Sequence, residues 1–138
     1  MDQLLNPRRP VRLALLPTLL ACLLGPAGGH AQPVGDVQRG MNLFAEHCAE
    51  CHSLKEGKHK KGPALLAVMG TTAGSQAGFA YSEAMKSSNW TWAPENLGRY
   101  LTQPKTALPG GKMKYDGMAQ AQDRADVIAF LSAQSKRP

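Results

Sequence analysis

The spacing of apolar residues predicts a helix near each end of the chain beyond residue 35. Asp36 is a residue type that caps helix N-termini, and three apolar side chains after it fall on one helical face: Val37, Met41 and Phe44. Asp123 is the corresponding cap of a second helix, with the apolar residues Val127, Phe130 and Leu131. Gly40 lies on the apolar side of the first helix, where the missing side chain allows another helix to approach.

Two shorter helices are predicted between these. Pro94 is suited to the first position of a helix, and Pro104 ends it. The inward face of this helix is formed by Leu97, Tyr100 and Leu101. Ser82 is expected to cap one further turn that runs to Lys86. The remaining segments are long loops, which are unusual in a small domain unless a cofactor organises them, and the pattern as a whole predicts an all-α fold.

The first 31 residues have the pattern of a secretory signal peptide. A basic front precedes an apolar run over residues 13–24, and small residues follow up to Ala31. The run is shorter than the ~20 residues that span a bilayer and contains Pro17, so an uncleaved membrane anchor is less favoured, as is lipidation at Cys22. We predict cleavage after Ala31, which leaves residues 32–138 as a single exported domain in the periplasm.

The stretch CAECH at positions 48–52 holds two cysteines three residues apart, followed directly by a histidine. Structural zinc would need more ligands, and besides His52 the mature chain offers only His47 and His59. A thioredoxin-like redox pair would follow a strand in a βαβ unit, and no alternating β-branched run precedes Cys48. Covalent haem attachment is the third chemistry with this signature.

The spacing within CAECH suits haem attachment. If residues 36–52 form a helix, Cys48, Cys51 and His52 stand at positions i, i+3 and i+4 and project from one face of one turn. Two thioether bonds could then hold the porphyrin edge while the imidazole reaches the iron. Haem attachment is therefore the favoured interpretation, and a second iron ligand would make it specific.

Methionine is the candidate for that second ligand. The mature chain contains five methionines: Met41, Met69, Met85, Met113 and Met118. Most methionines fill hydrophobic cores. Met113 differs because it lies in PGGKMKYDG, where one proline and three glycines favour an irregular loop that can approach a flat ligand.

From Gly35 to about Leu131 the chain resembles the class I c-type cytochromes, the family of mitochondrial cytochrome c and bacterial cytochrome c2. The resemblance rests on six blocks in family order: GDVQRGMNLFAEHCAECHSL, GKHKKGPAL, GFAYSEAMK, TWAPENLGRYLTQPK, LPGGKMKYDG and RADVIAFL. It implies the class I cytochrome c fold, in which helices and loops wrap around one covalently bound haem. It also implies that the two terminal helices meet at Gly40 and Phe130.

The resemblance implies roles for individual residues of the cofactor site. Cys48 and Cys51 would hold haem c, His52 would be the proximal iron ligand and Met113 the distal sulfur ligand. The carbonyl of Pro63 would accept a hydrogen bond from His52, which fixes the ring tautomer and raises its basicity.

Three aromatic residues also match family positions. Tyr81 and Trp92 would hydrogen-bond a buried haem propionate, and Tyr100 would lie beside the methionine sulfur. Ordinary core packing is the alternative for all three. His59 matches a histidine that ties loop backbones together.

The chain departs from the family pattern at several positions. Thr71 stands where the family usually has an arginine near the propionates, which removes a positive charge. Met85 replaces a common asparagine and Gly111 a common threonine, so two polar side chains around the family's internal water are absent. Trp90 is an additional aromatic residue.

The implied function is a soluble one-electron carrier rather than an enzyme. Histidine and methionine together fill both axial positions of the iron, and thioether ligation favours the ferrous state. Such an iron passes electrons between membrane-bound redox complexes without binding oxygen or peroxide. A peroxidase-like enzyme or a gas-binding sensor is the alternative if Met113 dissociates readily.

The charge of the mature chain bears on its partners. It has 13 basic and 9 acidic side chains, a net charge of +4. Six lysines fall in segments that flank the haem edge in the family: Lys60, Lys61, Lys86, Lys105, Lys112 and Lys114. As a docking ring they would steer the protein to acidic faces of a cytochrome bc1-type donor and of an oxidase, reductase or reaction-centre acceptor. A merely solvated face is the alternative; we expect a monomer and no nucleic-acid partner.

Overall fold

The computed structural model describes residues 33–135. Five helices occur in this part: α1 (Val37–His47), α2 (Glu83–Lys86), α3 (Pro94–Thr102), α4 (Pro104–Ala107) and α5 (Ala121–Ser135). The β structure of the same residues is one isolated bridge between Thr72 and Thr91, so the predicted all-α fold is confirmed. Across residues 33–135, no helix combines the length and the apolarity needed to cross a membrane. The predicted signal peptide lies outside the described residues.

Helix α1 begins where the sequence predicts and ends earlier. The Asp36 side chain accepts a hydrogen bond of 2.7 Å from the Arg39 N–H, as an N-cap does. The helix stops at His47 and does not continue to residue 52, because Cys48 is already the C-cap, with its N–H bonded to the Phe44 carbonyl. The CAECH residues therefore follow the helix and do not belong to it.

Helices α1 and α5 pack against each other at Gly40. A Cβ atom at this position would overlap the Asp126 carbonyl and approach the Phe130 side chain, so glycine is required for the contact. The rings of Phe44 and Phe130 lie beside it, with 5.5 Å between centroids. Two residues expected on this face of α1 are instead 47% and 43% exposed: Val37 and Met41.

Helix α5 begins at Ala121, before Asp123, so the predicted cap at Asp123 is wrong. The Arg124 N–H already bonds to the Gln120 carbonyl at 3.2 Å. Asp123 therefore lies within the first turn, where its charge complements the helix dipole. The predicted inward face of α5 is buried and consists of Val127, Phe130 and Leu131. Two polar residues of the same helix, Asp126 and Gln134, are buried as well.

The middle helices follow their predicted caps. The Ser82 hydroxyl accepts a hydrogen bond of 3.2 Å from the Met85 N–H at the start of α2, and Pro94 is the first residue of α3. The predicted inward face of α3 is buried: Leu97, Tyr100 and Leu101. Pro104 does more than end α3, since it begins the short helix α4, which was not predicted.

A buried carboxylate joins α1 to α5. Asp126 is 0% exposed and accepts hydrogen bonds from the Asp36 N–H at 2.7 Å, the Gln122 amide at 3.0 Å and the Arg39 guanidinium. Burial alone would raise its pKa, but these hydrogen bonds together lower the pKa below that of an ordinary aspartate. The ionised form of Asp126 is therefore the one that the helix pair binds.

We expect Asp126→Asn to destabilise the folded protein by about 1–3 kcal/mol at neutral pH, because three donors lose a buried, charged acceptor. Since the folded-state pKa is lowered, this stabilisation is present above the ordinary aspartate pKa of about 3.9. It is lost as the pH falls through the lower pKa of the folded state. Urea denaturation of the two proteins at decreasing pH measures both effects. Asp123→Asn is the control, and equal losses in the two variants would contradict the role of Asp126.

Candidate functional site

The CAECH residues form a hydrogen-bonded turn directly after α1. The N–H groups of Cys51 and His52 both bond to the Cys48 carbonyl, at 3.0 and 2.9 Å. The second of these bonds has the i to i+4 spacing of a helix, so the three side chains keep the helical arrangement although α1 has ended. The expected presentation from one turn is thus obtained without the expected long helix.

One cavity of about 560 Å³ brings the predicted cofactor residues together. This volume is within the roughly 300–1,000 Å³ of ligand pockets. All eight residues predicted to bind the cofactor line it: Cys48, Cys51, His52, Pro63, Tyr81, Trp92, Tyr100 and Met113. Much of the remaining wall is apolar and comes from α3, α5 and the loop before them: Leu65, Val68, Leu97, Leu101, Val127 and Leu131. The cavity can therefore take a large apolar group with a few polar contacts.

His52 is held in the orientation expected of a metal ligand. Its Nδ1 lies 2.8 Å from the Pro63 carbonyl oxygen, so Nδ1–H donates and the Nε2 lone pair remains available to a metal ion. Burial is the main cause that lowers the pKa of His52, which keeps the imidazole neutral. A Cβ atom at Gly62 would overlap the His52 ring. Gly62 therefore leaves space for the ring, and Pro63 fixes its orientation.

The two cysteines are not joined by a disulfide in the described part of the chain. Burial, with the neighbouring Cys51 as the smaller cause, raises the pKa of the Cys48 thiol to about 11. A thiol that stays protonated at neutral pH is a poor redox nucleophile. Within residues 33–135 no cluster of three or more His, Cys, Asp or Glu side chains is arranged to hold a metal ion, and zinc gains no support here.

Met113 lies in an irregular loop, as its sequence context predicts. The loop is fixed at its ends by hydrogen bonds from the Gly111 N–H to the Leu108 carbonyl and from the Met118 N–H to the Leu101 carbonyl. Met113 is partly buried and packs against a cluster of buried residues: Ala73, Met85, Tyr100 and Leu108. Its thioether therefore reaches the cavity from a supported position.

The predicted aromatic residues belong both to the core and to the cavity wall. Tyr100 and Trp92 pack with 5.4 Å between ring centroids, and burial raises the pKa of Tyr100. Trp90, the additional aromatic residue, does not line the cavity and packs edge-on against the rings of Trp92 and Tyr100. The Arg99 guanidinium covers its ring at 4.7 Å from the centroid. Core packing and a polar role toward the cavity are thus compatible for Trp92 and Tyr100.

The residues at the departures from the family pattern make few polar contacts. The Thr71 hydroxyl donates to the Val68 carbonyl at 2.8 Å, within its own loop. Met85 is buried against Tyr100 in the cluster beneath Met113.

His59, which matches the family pattern, connects two loop segments. Its ring forms hydrogen bonds with the Ala77 carbonyl at 2.9 Å and with the Ala64 N–H at 3.1 Å.

The six predicted docking lysines have different surroundings. Those that line the cavity are Lys61, Lys112 and Lys114, and those that do not are Lys60, Lys86 and Lys105. Three of the six pair with exposed carboxylates: Lys61 with Glu50, Lys86 with Glu83 at 2.9 Å, and Lys105 with Asp116 at 2.8 Å. The basic surface is therefore interrupted by acidic side chains.

Two features of the site were missed by sequence reasoning. Glu46 and Glu50 line the cavity beside the CAECH turn. The position of Glu50 between the two cysteines was a sufficient signal, because a residue there must lie beside the attached group. The need for glycine at position 62 carried no local signal, since it arises from the His52 ring across the turn.

The fold and the cavity define a small helical protein with a large, mostly apolar cavity beside its CAECH turn. A family model described as Cytochrome c matches residues 37–135, and the chain belongs to the cytochrome c family. It is 45% identical over 100 residues to cytochrome c of Chlamydomonas reinhardtii, across 72% of this chain and 89% of that protein. Cytochrome c of Arabidopsis thaliana is 42% identical over 103 residues, across 74% and 92%.

A solved structure gives the same result. Cytochrome cH from Methylobacterium extorquens matches with a TM-score of 0.68 and 37% identity, across 72% of this chain and 99% of that one. The class I cytochrome c fold predicted from the sequence is confirmed. Members of the family are electron carriers with covalently attached haem c, and this chain supplies Cys48 and Cys51 for the attachment. The cavity fits that group by its volume, its apolar wall and the neutral His52 ring.

We expect Gly62→Ala to weaken the site, because the added methyl group displaces the His52 ring from the Pro63 carbonyl. The haem-loaded variant should show an altered visible spectrum and a loss of about 1–3 kcal/mol in unfolding free energy. Gly98→Ala is the matched control, since its Cβ would lie 3.5 Å from Ile128 Cδ1, an ordinary contact. It should keep the spectrum and gain up to about 1 kcal/mol in α3. An unchanged Gly62→Ala protein would contradict this account.

Proposed function

We propose that the protein is an exported one-electron carrier whose haem iron has His52 and Met113 as axial ligands. The observation that carries the proposal is that one cavity is lined by Cys48, Cys51, His52 and Met113 together. Bound haem supplies an iron that cycles between the ferrous and ferric states. The family supports electron transfer as the activity, and the axial pair is inferred from the residues.

Each residue of the site contributes to fast electron transfer in this proposal. The hydrogen bond from Nδ1 of His52 to the Pro63 carbonyl holds the imidazole in one orientation through both oxidation states. The apolar cluster around Met113 excludes water and limits rearrangement. A site that moves little when its charge changes is suited to a carrier. The enzyme alternative would need Met113 to leave this packed position and is not favoured.

The cellular location and partners are part of the same proposal. The pattern of residues 1–31 supports a cleaved leader and a periplasmic domain over residues 32–138. We propose a monomer that carries electrons from a bc1-type donor to an oxidase, reductase or reaction centre. Lys60, Lys61, Lys86, Lys105, Lys112 and Lys114 are the proposed source of attraction to acidic partner faces.

The axial pair is tested on the haem-loaded protein. A methionine sulfur on ferric low-spin haem gives a weak far-red absorption band, and a closed ferrous iron does not bind carbon monoxide. We expect the band in the wild type and no spectral change with carbon monoxide. Met113→Ala should lose the band and bind carbon monoxide, whereas Met41→Ala, in the exposed part of α1, should do neither. Carbon monoxide binding by the wild type would overturn the proposal and favour an enzyme or sensor.

A further inference from the structure

Five charged side chains lie where the cavity opens to solvent. Each of them is exposed and lines the cavity: Glu46, Glu50, Lys61, Lys112 and Lys114. The basic docking ring proposed above does not account for the two carboxylates. In the proposed function the electron passes through this opening, so a partner docks over it. The charges at the opening therefore affect docking more than Lys60, Lys86 and Lys105, which do not line the cavity.

The charges at the opening fall into two groups by the segment that carries them. The attachment side consists of Glu46 and Glu50 beside the CAECH turn, together with Lys61. Lys61 forms an ion pair with Glu50, so among the cavity-lining side chains of this side the Glu46 carboxylate is in excess. The Lys60 ammonium does not line the cavity but donates to the Ala49 carbonyl of the CAECH turn, and it is the nearby positive charge. His47 is the nearby imidazole, at 3.7 Å from Glu46.

The second group, the loop side, consists of Lys112 and Lys114, which flank Met113. Neither forms an ion pair with a described carboxylate, and the Lys112 ammonium donates to the Ala80 carbonyl at 3.3 Å. Lys112 acts on Glu83 only weakly, since the pKa of that carboxyl is lowered mainly by Lys86 and least by Lys112. The loop side is therefore net positive, in contrast to the attachment side.

We propose that Glu46 and Glu50 are specificity-determining residues, which make the docking surface two-sided. The inference rests on the proposed electron-carrier function. The loop side fits an acidic patch of a protein partner, and the attachment side fits a neutral or basic contact on the same partner. A partner that is uniformly acidic would place like charges against Glu46 and Glu50, which costs affinity.

Stability gives no competing reason for these carboxylates. The Glu50–Lys61 pair is fully at the surface, where ion pairs contribute little. Among residues 33–135, the ion-pair partner of Glu46 is His47, at 3.7 Å. The two carboxylates are therefore free to serve recognition.

Inert paramagnetic ions of opposite charge test the division without a known partner. Hexacyanochromate(III), a trianion, and hexaamminechromium(III), a trication, each broaden the amide signals of residues near which they bind. With the isotope-labelled ferrous haem-loaded protein at low ionic strength, the trianion should broaden residues 112–114 more than residues 46–50. The trication should show the reverse. Equal broadening of both groups by the trianion, or no trication effect at residues 46–50, would overturn the proposal.

Two double variants with the same change in net charge test whether the pattern of broadening and the rate of electron transfer depend on the same carboxylates. The double variant Glu46→Gln, Glu50→Gln should lose the broadening of residues 46–50 by the trication. Its ferrous form should also be oxidised a few-fold faster by the anionic reagent hexacyanoferrate(III) at low ionic strength. Glu56→Gln with Glu95→Gln makes the same change in net charge at exposed positions that do not line the cavity. Equal acceleration in the two variants would contradict the proposal. Failure of the axial pair is detected separately, as carbon monoxide binding by the wild type.

Discussion

The structure depends on a core that its own side chains do not fill. Helices α1, α3 and α5 pack around a cavity of about 560 Å³. The cavity opens to solvent, so without a bound group its largely apolar wall would be exposed to water, which is unfavourable. The haem of this family is therefore part of the hydrophobic core as well as the redox centre.

The contact between α1 and α5 positions the attachment turn against that core. Gly40 allows the close approach, and Asp126 binds the N-terminus of α1 from the side of α5. Because the CAECH turn follows α1 directly, the orientation of α1 determines where Cys48 and His52 point. The hydrogen bond from His52 to the Pro63 carbonyl then fixes the orientation of the imidazole. Packing between α1 and α5 thus contributes to the position of His52 in the cavity.

Local chemistry decided how much of this could be predicted from the sequence. The caps at Asp36 and Ser82 and the start at Pro94 were predicted because each involves only a few neighbouring residues. The end of α1 and the start of α5 were misplaced because competing turns carry no distinct apolar pattern. Ion pairs such as Arg39 with Asp126 join residues far apart in the chain, and only the fold brings them together. The eight residues predicted to bind the cofactor lie around one cavity, and they could be named in advance because the family resemblance carries that long-range information.

The most direct test of the central claim compares the helix content of the chain with and without its haem. Far-ultraviolet circular dichroism of the haem-loaded protein and of a variant with Cys48→Ala and Cys51→Ala, purified without haem, makes this comparison. If the haem fills the core, the variant should lose most of its helical signal and its cooperative unfolding transition. A haem-free variant with the same helix content and the same urea midpoint would contradict the claim.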